Sequence, residues 1–291
     1  MNFLGFECLC LENNSLSLLI TRSVGPRVIS LSFHGSKNLL AELPEFTSVR
    51  PDGKTYHFYG GHRLWHAPED PLRTYVPDDD IVDVLQIQDG VLLTQMVEVE
   101  TGIEKSIRIT LVENKPQVIL QHTLTNVGLW SLTCSPWAIT QLRTGGIAII
   151  PQPADPTGLL PNRSLALWPY TDISSPHVNW GNHYILLHAK MKEPFKIGFP
   201  NPRGWLAYWL EGTLFVKRAA YDSKSAYGDF GSSSECYCND RFIELETLAP
   251  ISRLEPGGSV THTETWELYA DVDPPVDEAS VQKMVNDLGL E

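Results

Sequence analysis

Cysteine is scarce in this sequence. Only five of its 291 residues are cysteines, and a low, odd count argues against a disulfide framework. Four of them form two C-x-C pairs, Cys8 with Cys10 and Cys236 with Cys238. No nearby histidine completes a zinc set, so we expect free thiols and predict no metal site.

Long apolar runs are also missing. No run approaches the roughly 18 residues that a transmembrane helix needs. The first 14 residues carry Glu7 and no basic cluster, unlike a secretory signal peptide. We therefore expect a cytoplasmic protein with no membrane partner.

Basic residues are outnumbered, with 22 lysines and arginines against 35 acids and a formal charge of −13. Such a surface repels phosphate backbones, which argues against a nucleic-acid partner. No Gly-x-Ser-x-Gly elbow, P-loop or Gly-x-Gly-x-x-Gly follows a predicted strand, so these motifs give no support to a hydrolase, nucleotide or dinucleotide site. Aromatic residues are plentiful, with eight Trp and ten Tyr, and they suit both sandwich cores and sugar platforms.

Apolar and polar residues alternate with period two along most of the chain, which indicates strands with one buried face. The Asp89-Gly90 and Glu211-Gly212 pairs predict hairpin turns between such strands. The alternating segments are 29–33, 97–100, 107–111, 118–126, 184–189, 205–210, 214–218, 242–246 and 260–269.

One segment has helical spacing, at 277–288, where apolar residues share one face and Gly289 follows as a stop. Two stretches, 50–80 and 151–182, lack clean alternation and are rich in Pro and aromatic residues; loops this long are usually functional. No repeat or composition shift marks a boundary. We therefore predict one all-β domain over 1–291, a large antiparallel β-sandwich with a short C-terminal helix.

Several motifs occur in a fixed order that resembles the galactose mutarotase-like superfamily, which includes aldose 1-epimerases and hexose-6-phosphate mutarotases. The resemblance is to an uncharacterised branch and spans residues 24–268. The motifs are G-P-R-V-I-S-L at 25–31 with N-L-L at 38–40, Y-G-G-H-R-L-W-H at 59–66, H-T-L-T-N at 122–126 with W-A-I-T at 137–140, Y-G-D-F-G at 227–231 with F-I-E-L-E-T-L-A-P at 242–250, and L-E-P-G at 254–257 with T-E-T-W-E-L at 263–268.

The resemblance implies a supersandwich with a sugar site on a concave sheet face. It also implies mutarotation, in which a base removes the anomeric hydroxyl proton while an acid protonates the ring oxygen, without a cofactor. Glu246 stands where the family has its catalytic glutamate, and Glu244 shares its strand face. The family's histidine corresponds to positions 137–140, where this chain has none. We therefore consider His62 as the catalytic acid and His66 as a second candidate.

Other candidate substrate-binding residues come from the same aromatic-rich segments. Arg63 suits bidentate hydrogen bonds to vicinal hydroxyls or a phosphate. Trp65 and Trp137 can stack on a pyranose, and Glu69 lies in the same segment as Arg63. Each tryptophan is equally suited to core packing.

Two further candidates are isolated charges. Lys217 interrupts the apolar strand 214–218, and a buried lysine needs a carboxylate or an anionic ligand as partner. Asp229 lies between glycines and could accept hydrogen bonds from sugar hydroxyls or act only as a turn residue.

Three functions remain open at this point. The chain could be an aldose or hexose-phosphate 1-epimerase, a non-catalytic sugar-binding module on the same fold, or a glycoside-processing enzyme with two carboxyl groups. All three take a sugar or sugar phosphate as partner. The first requires Glu246 and His62 to face one hollow.

Overall fold

Two large antiparallel sheets make up most of the protein. The computed structural model describes residues 1–153 and 155–290. The predicted all-β sandwich class is confirmed, with one short C-terminal helix. A small two-stranded sheet, β5 (Glu42–Val49) and β6 (Thr55–Gly60), accompanies the two large ones.

The first sheet has eleven strands. In spatial order they are β1 (Asn2–Phe3), β2 (Phe6–Glu12), β3 (Leu16–Thr21), β4 (Arg27–Phe33), β7 (His62–Ala67), β12 (Leu132–Arg143), β21 (Phe242–Leu248), β20 (Ser234–Cys238), β17 (Phe195–Phe199) and β14 (Ala166–Leu167), with β22 (Ser252–Leu254) paired to β12.

The second sheet has ten strands. In spatial order they are β15 (Val178–Trp180), β16 (Tyr184–His188), β13 (Ile147–Pro151), β18 (Trp205–Leu210), β19 (Thr213–Ala219), β23 (Ser259–Tyr269), β11 (Gln117–Asn126), β10 (Ile103–Leu111), β9 (Gly90–Thr94) and β8 (Asp83–Ile87).

One continuous hydrophobic core lies between the two sheets. Leu64 and Leu245 of the first sheet belong to the same buried cluster as Ile107, Leu120 and Phe215 of the second. Alternate residues of each strand point into this core, because successive side chains of a strand lie on opposite faces. The outer face of the first sheet, which points away from the second sheet, does not contribute to this core.

Both predicted hairpins are present. The turn at Asp89 joins β8 to β9, and the turn at Glu211-Gly212 joins β18 to β19. Glu211 has a left-handed backbone, with a φ of 49°, as hairpin turns of this length require.

The strand predicted at 97–100 is wrong. Val97 and Val99 are exposed, whereas Glu98 is buried and forms only an isolated bridge to Ile103. Glu98 points inward because its carboxylate forms an ion pair with the buried Lys105. The segment was expected to bury its valines and expose its glutamates, but Val97 and Val99 are exposed and Glu98 is buried.

The stretch 50–80, predicted to lack regular structure, contains two strands, β6 and β7. All six residues of β7 are buried, so its two faces are both covered and its sequence shows no apolar–polar alternation. In the stretch 151–182, Pro151 ends β13, and the other described residues form only the short strands β14 and β15.

The C-terminal helix α1 (Glu278–Leu288) is confirmed within one residue of its predicted start. Asp277 caps it by accepting a hydrogen bond from Ser280 N at 2.8 Å, and Gly289 ends it with a φ of 63°. Val281 and Val285 pack on the outer face of the second sheet. No helix in the described part of the chain has the length and apolarity to cross a membrane.

Candidate functional site

A cavity of about 390 Å³ opens on the outer face of the first sheet, within the roughly 300–1,000 Å³ typical of small-molecule sites. We call it the aromatic pocket because nine of its lining residues are aromatic, which leaves few polar groups to orient a ligand. It is lined by Phe46, Phe58, Arg63, Trp65, Glu69, Tyr75, Trp137, Ile139, Trp168, Tyr170, Pro194, Lys196, Tyr237, Phe242 and Glu244.

Strand register builds the floor of the aromatic pocket. Trp137 pairs with Trp65, and Ile139 pairs with Arg63, across β12 and β7. On the other side of β12, Ile139 pairs with Glu246 of β21. The side chains of such paired residues lie on the same face, so the register brings together residues distant in sequence.

Arg63 and Glu244 form an ion pair in the pocket, with Nη2 and Oε1 separated by 3.0 Å. The guanidinium of Arg63 lies 4.3 Å from the ring centroid of Trp65. Burial, reinforced by the nearby Glu246 charge and opposed by Arg63, raises the pKa of Glu244 to about 7. This carboxyl group can therefore exist in both protonation states near neutral pH.

The same guanidinium has unused donors. Arg63 is 1 % exposed, and its Nε and Nη1 atoms have no hydrogen-bond partner among the described residues. Unpaired buried donors are costly in a folded protein. A ligand oxygen in the aromatic pocket would satisfy them.

Glu246 lies on the same outer face of the sheet as Ile139, but other side chains cover it and it does not line the pocket. Its Oε2 accepts hydrogen bonds from Trp137 Nε1 at 2.8 Å and from Lys196 Nζ at 3.0 Å. The residue is fully buried, and its Oε1 has no hydrogen-bond partner in residues 1–153 and 155–290. The carboxylate is thus held in a fixed position beneath the side chains that form the floor.

Lys196 joins two buried carboxyl groups to the pocket. Its Nζ lies 2.7 Å from Glu235 Oε2 and 3.0 Å from Glu246 Oε2. The ammonium is also 4.7 Å from the ring centroids of both Trp137 and Trp168. Burial alone would lower the pKa of Lys196, but the two carboxylates hold it well above its ordinary value. Burial and the Glu246 charge raise the pKa of Glu235 well above its ordinary value.

The structure brings together five of the predicted site residues, Arg63, Trp65, Glu69, Trp137 and Glu244, as lining of one pocket. Glu69 lies at the exposed rim, where its Oε1 accepts a hydrogen bond from the hydroxyl of Tyr75 at 2.5 Å.

The expectation that His62 shares a hollow with Glu246 is wrong. His62 points into the core between the sheets, since it is one residue from Arg63 and so lies on the opposite face of β7. Its Nε2 is 2.7 Å from His122 Nε2, and its Nδ1 is 2.9 Å from Thr140 Oγ1. Burial lowers the pKa of His62 well below its ordinary value, so the imidazole is neutral.

His66 and Lys217 also lie on the core side and not in the aromatic pocket. His66 Nε2 is 3.7 Å from Glu98 Oε2. Lys217 is fully buried, with its Nζ 2.9 Å from Glu264 Oε1. The predicted carboxylate partner of Lys217 is thus present, but it comes from the second sheet.

His62, His122 and Glu264 have potential ligand atoms within 4.8 Å of one another. These atoms are already engaged, because the two histidines contact each other and Glu264 is bound by Lys217. The ammonium of Lys217 supplies the positive charge that a metal ion would bring. The geometry fits a hydrogen-bond network better than a metal centre.

Asp229 is separate from the lining of the aromatic pocket. It lies in the loop after β19 with a left-handed φ of 47°, and its backbone oxygen accepts a hydrogen bond from Ser232 Oγ. Its position agrees with the alternative of a turn residue.

Five residues at or beneath the pocket were not predicted from the sequence: Lys196, Glu235, Trp168, Tyr170 and Tyr237. Lys196 had a usable signal, because it interrupts the apolar strand F-K-I-G-F in the same way that Lys217 interrupts its strand. Trp168 and Tyr170 come from a long irregular segment, where spacing does not predict direction.

Comparisons with known proteins address the fold. No protein-family model matches the sequence, and no curated protein matches it either. Among solved structures, a galactose mutarotase-like protein from Lactobacillus casei ATCC 334 is similar, with a TM-score of 0.58 and 12 % identity over 90 % of this chain and 100 % of that chain.

Two other solved structures are similar. An inferred aldose 1-epimerase from Escherichia coli K12 matches with a TM-score of 0.53 and 11 % identity, over 91 % of this chain and 100 % of that one. A TPR-domain containing protein from Parabacteroides distasonis ATCC 8503 matches with a TM-score of 0.64 and 15 % identity, over 94 % of this chain and 49 % of that one. At such identities the likeness concerns architecture and not activity. The chain has the galactose mutarotase-like fold.

Proposed function

We propose that this protein binds a saccharide in the aromatic pocket. The observation that carries the proposal is a buried guanidinium, that of Arg63, with unused donors at the base of a cavity walled by aromatic rings. Small-molecule sites typically combine apolar walls with a few placed polar groups. Here those groups are Arg63, Glu244 and Lys196.

A saccharide fits this combination of surfaces. A pyranose has an apolar face that packs on flat rings such as the more exposed Trp168 and Tyr170, and an edge of hydroxyls that both donate and accept hydrogen bonds. Arg63 supplies donors, and Glu244 supplies an acceptor or a donor according to its protonation state. The match to both parts of the sugar favours this ligand class over a purely apolar one.

Titration calorimetry with a panel of mono- and disaccharides tests the proposal. We expect Trp168→Ala to weaken the best ligand at least about tenfold, because an aromatic contact contributes roughly 0.5–1.5 kcal/mol beyond its buried area. Trp168 is only partly buried, so its loss is compatible with folding.

Trp130→Ala is the matched control, since Trp130 is 81 % exposed and outside the aromatic pocket. It should bind as the wild type does. If no saccharide binds at millimolar concentration, or if Trp168→Ala binds as well as the wild type, the proposal is wrong.

A second candidate function, interconversion of sugar anomers, is favoured by one observation. Glu244 lines the pocket with a pKa raised to about 7, close to the value that suits general acid–base catalysis at neutral pH. Trp137 occupies the segment where the resemblance implies a histidine, and an indole N–H donates hydrogen bonds without transferring its proton. Acid–base work would therefore fall to Glu244, which lines the pocket, with water accepting the proton of the anomeric hydroxyl.

The reaction would begin with proton transfer from Glu244 to the ring oxygen and from the anomeric hydroxyl to a water molecule. The ring opens to an aldehyde, the C1–C2 bond rotates, and reclosure returns both protons. NMR exchange measurements on glucose and galactose test this step. We expect Glu244→Gln to reduce the exchange rate at least about 100-fold, the typical contribution of one acid–base group.

Glu113→Gln, which alters an exposed carboxylate remote from the lining residues, should exchange sugars at the wild-type rate. If the wild-type protein binds a sugar but exchanges its anomers no faster than buffer does, the function is binding alone.

A further inference from the structure

Two adjoining loops at one end of the second sheet carry a concentration of exposed apolar side chains. Loop 96–102 leads into β10, and loop 127–131 follows β11. The loops are held together, because Val127 N donates a hydrogen bond to Gly102 O at 2.9 Å. We call their exposed apolar residues the loop patch. Its members are Met96, Val97, Val99, Val127, Leu129 and Trp130.

The loop patch is unusually large for the surface of a single chain. Val99 is 93 % exposed and Leu129 is 84 % exposed, and Trp130 is exposed to a similar extent. Single apolar residues on a surface are common, but groups of them on adjoining loops are not. Six side chains with these exposures present on the order of 700 Å² of apolar surface, above the roughly 300–600 Å² of the largest patch on a typical monomer.

Loop 96–102 exposes its valines while it buries a charge. The carboxylate of Glu98 is buried, forms an ion pair with the buried Lys105, and accepts a hydrogen bond from Thr101 Oγ1 at 2.7 Å. Neighbouring side chains of extended backbone point in opposite directions, so this burial turns Val97 and Val99 toward the solvent. A buried ion pair adds little net stability, whereas burial of apolar side chains stabilises a fold. The arrangement is therefore favourable only if another surface covers the valines.

We propose that the loop patch is the contact through which two copies of this chain form a dimer with a twofold axis. In such a dimer the same surface serves both chains, so an apolar patch meets its own copy and needs no complementary charge. The exposed area also agrees, since one partner contributes about 800 Å² to a typical protein–protein interface. A chain with a formal charge of −13 is repelled by anionic lipid, which argues against a membrane as the covering surface.

The inference is independent of the proposed sugar-binding function, because none of the six described patch residues lines the aromatic pocket. Sedimentation velocity of the full-length protein over a wide range of concentrations tests it. We expect a monomer–dimer equilibrium in the wild type. The double variant Leu129→Ser with Trp130→Ser should raise the dissociation constant of the dimer at least about tenfold, because truncation of a tryptophan at the centre of an interface typically costs at least this much affinity.

Leu159→Ser with Leu160→Ser is the matched control. It also replaces two neighbouring, exposed apolar residues, but on a loop outside the patch, and it should dimerise as the wild type does. Both double variants should bind sugars as the wild type does. A wild type that stays monomeric at every concentration, or a dimer that both double variants form equally well, overturns the inference.

Two further measurements identify the contact. Hydrogen–deuterium exchange at low and high protein concentration should show protection of amides in 96–102 and 127–131 on dimerisation. Added salt should strengthen the dimer, because it screens the repulsion between two acidic chains and leaves an apolar contact intact. Protection confined to other segments, or a dimer that salt dissociates as it would an ion-paired contact, overturns the inference.

Discussion

Glu244 and Glu246 are two residues apart on one strand, yet their surroundings differ. Glu244 lines the aromatic pocket beside Arg63, whereas Glu246 lies beneath Trp137 and Lys196. The sequence places both on one face, but only the neighbouring strands determine which carboxyl group a ligand can reach. A residue's role here is thus set by what covers it.

Titration of Glu244 predicts a pH effect on stability. Its pKa rises from 4.5 to about 7 on folding, so the folded chain binds more protons than the unfolded chain between these values. The resulting stability is fully present below pH 4.5 and is lost as pH rises through 7. We expect Glu244→Gln to reduce the pH dependence of the unfolding free energy between pH 4.5 and 8 by on the order of 3 kcal/mol.

Urea denaturation at several pH values, followed by tryptophan fluorescence, measures this difference. Glu235 contributes in the same direction, since burial raises its pKa too, so some pH dependence should remain. Glu113→Gln is again the control and should keep the wild-type profile. Identical profiles for Glu244→Gln and the wild type would contradict the prediction.

At the scale of secondary-structure elements, Lys217 ties the two sheets together. From β19 it donates hydrogen bonds to the carbonyl oxygens of Ala138 on β12 and Leu245 on β21, each at 2.9 Å. On its own sheet it pairs with Glu264 of β23. These contacts lie on the core face of β12 and β21, opposite the face on which Trp137 and Glu244 lie.

Removing this lysine should destabilise the fold strongly. We expect Lys217→Met to lower the unfolding free energy by about 3–5 kcal/mol, because it leaves the carboxylate of Glu264 buried without its cation. The double variant Lys217→Met with Glu264→Gln should be more stable than Lys217→Met alone. Chemical denaturation measures both, and a single variant as stable as the wild type would contradict the proposed coupling.

Segments that alternate apolar and polar residues could be predicted as strands from the sequence, even where both faces are buried as in β21, whereas β7, which shows no such alternation, could not. Segments such as 107–111 and 260–269 alternate cleanly and form the second half of β10 and most of β23. In β7 every residue is buried, so spacing alone did not show that His62 faces the core and Arg63 the pocket. The segment 97–100 failed for another reason, since a buried ion pair reversed its orientation.

At the scale of the whole molecule, the two faces of the first sheet have separate roles. One face joins the second sheet in a continuous core, which supports our proposal of a single domain, and the other face carries the aromatic pocket. The motif resemblance indicated the fold, and half of the ten candidate site residues line the aromatic pocket. The remaining pocket residues come from strands and loops whose packing cannot be read from local spacing.

The division of β7 has a consequence for how such a protein can diversify. Positions 63 and 65 reach the cavity, while positions 62, 64 and 66 reach the interior. Natural selection, or a mutant library, can therefore vary the odd-numbered positions to alter ligand choice while leaving the even-numbered positions untouched. Under the proposed sugar-binding function, ligand contact and core packing thus depend on alternate residues of one strand.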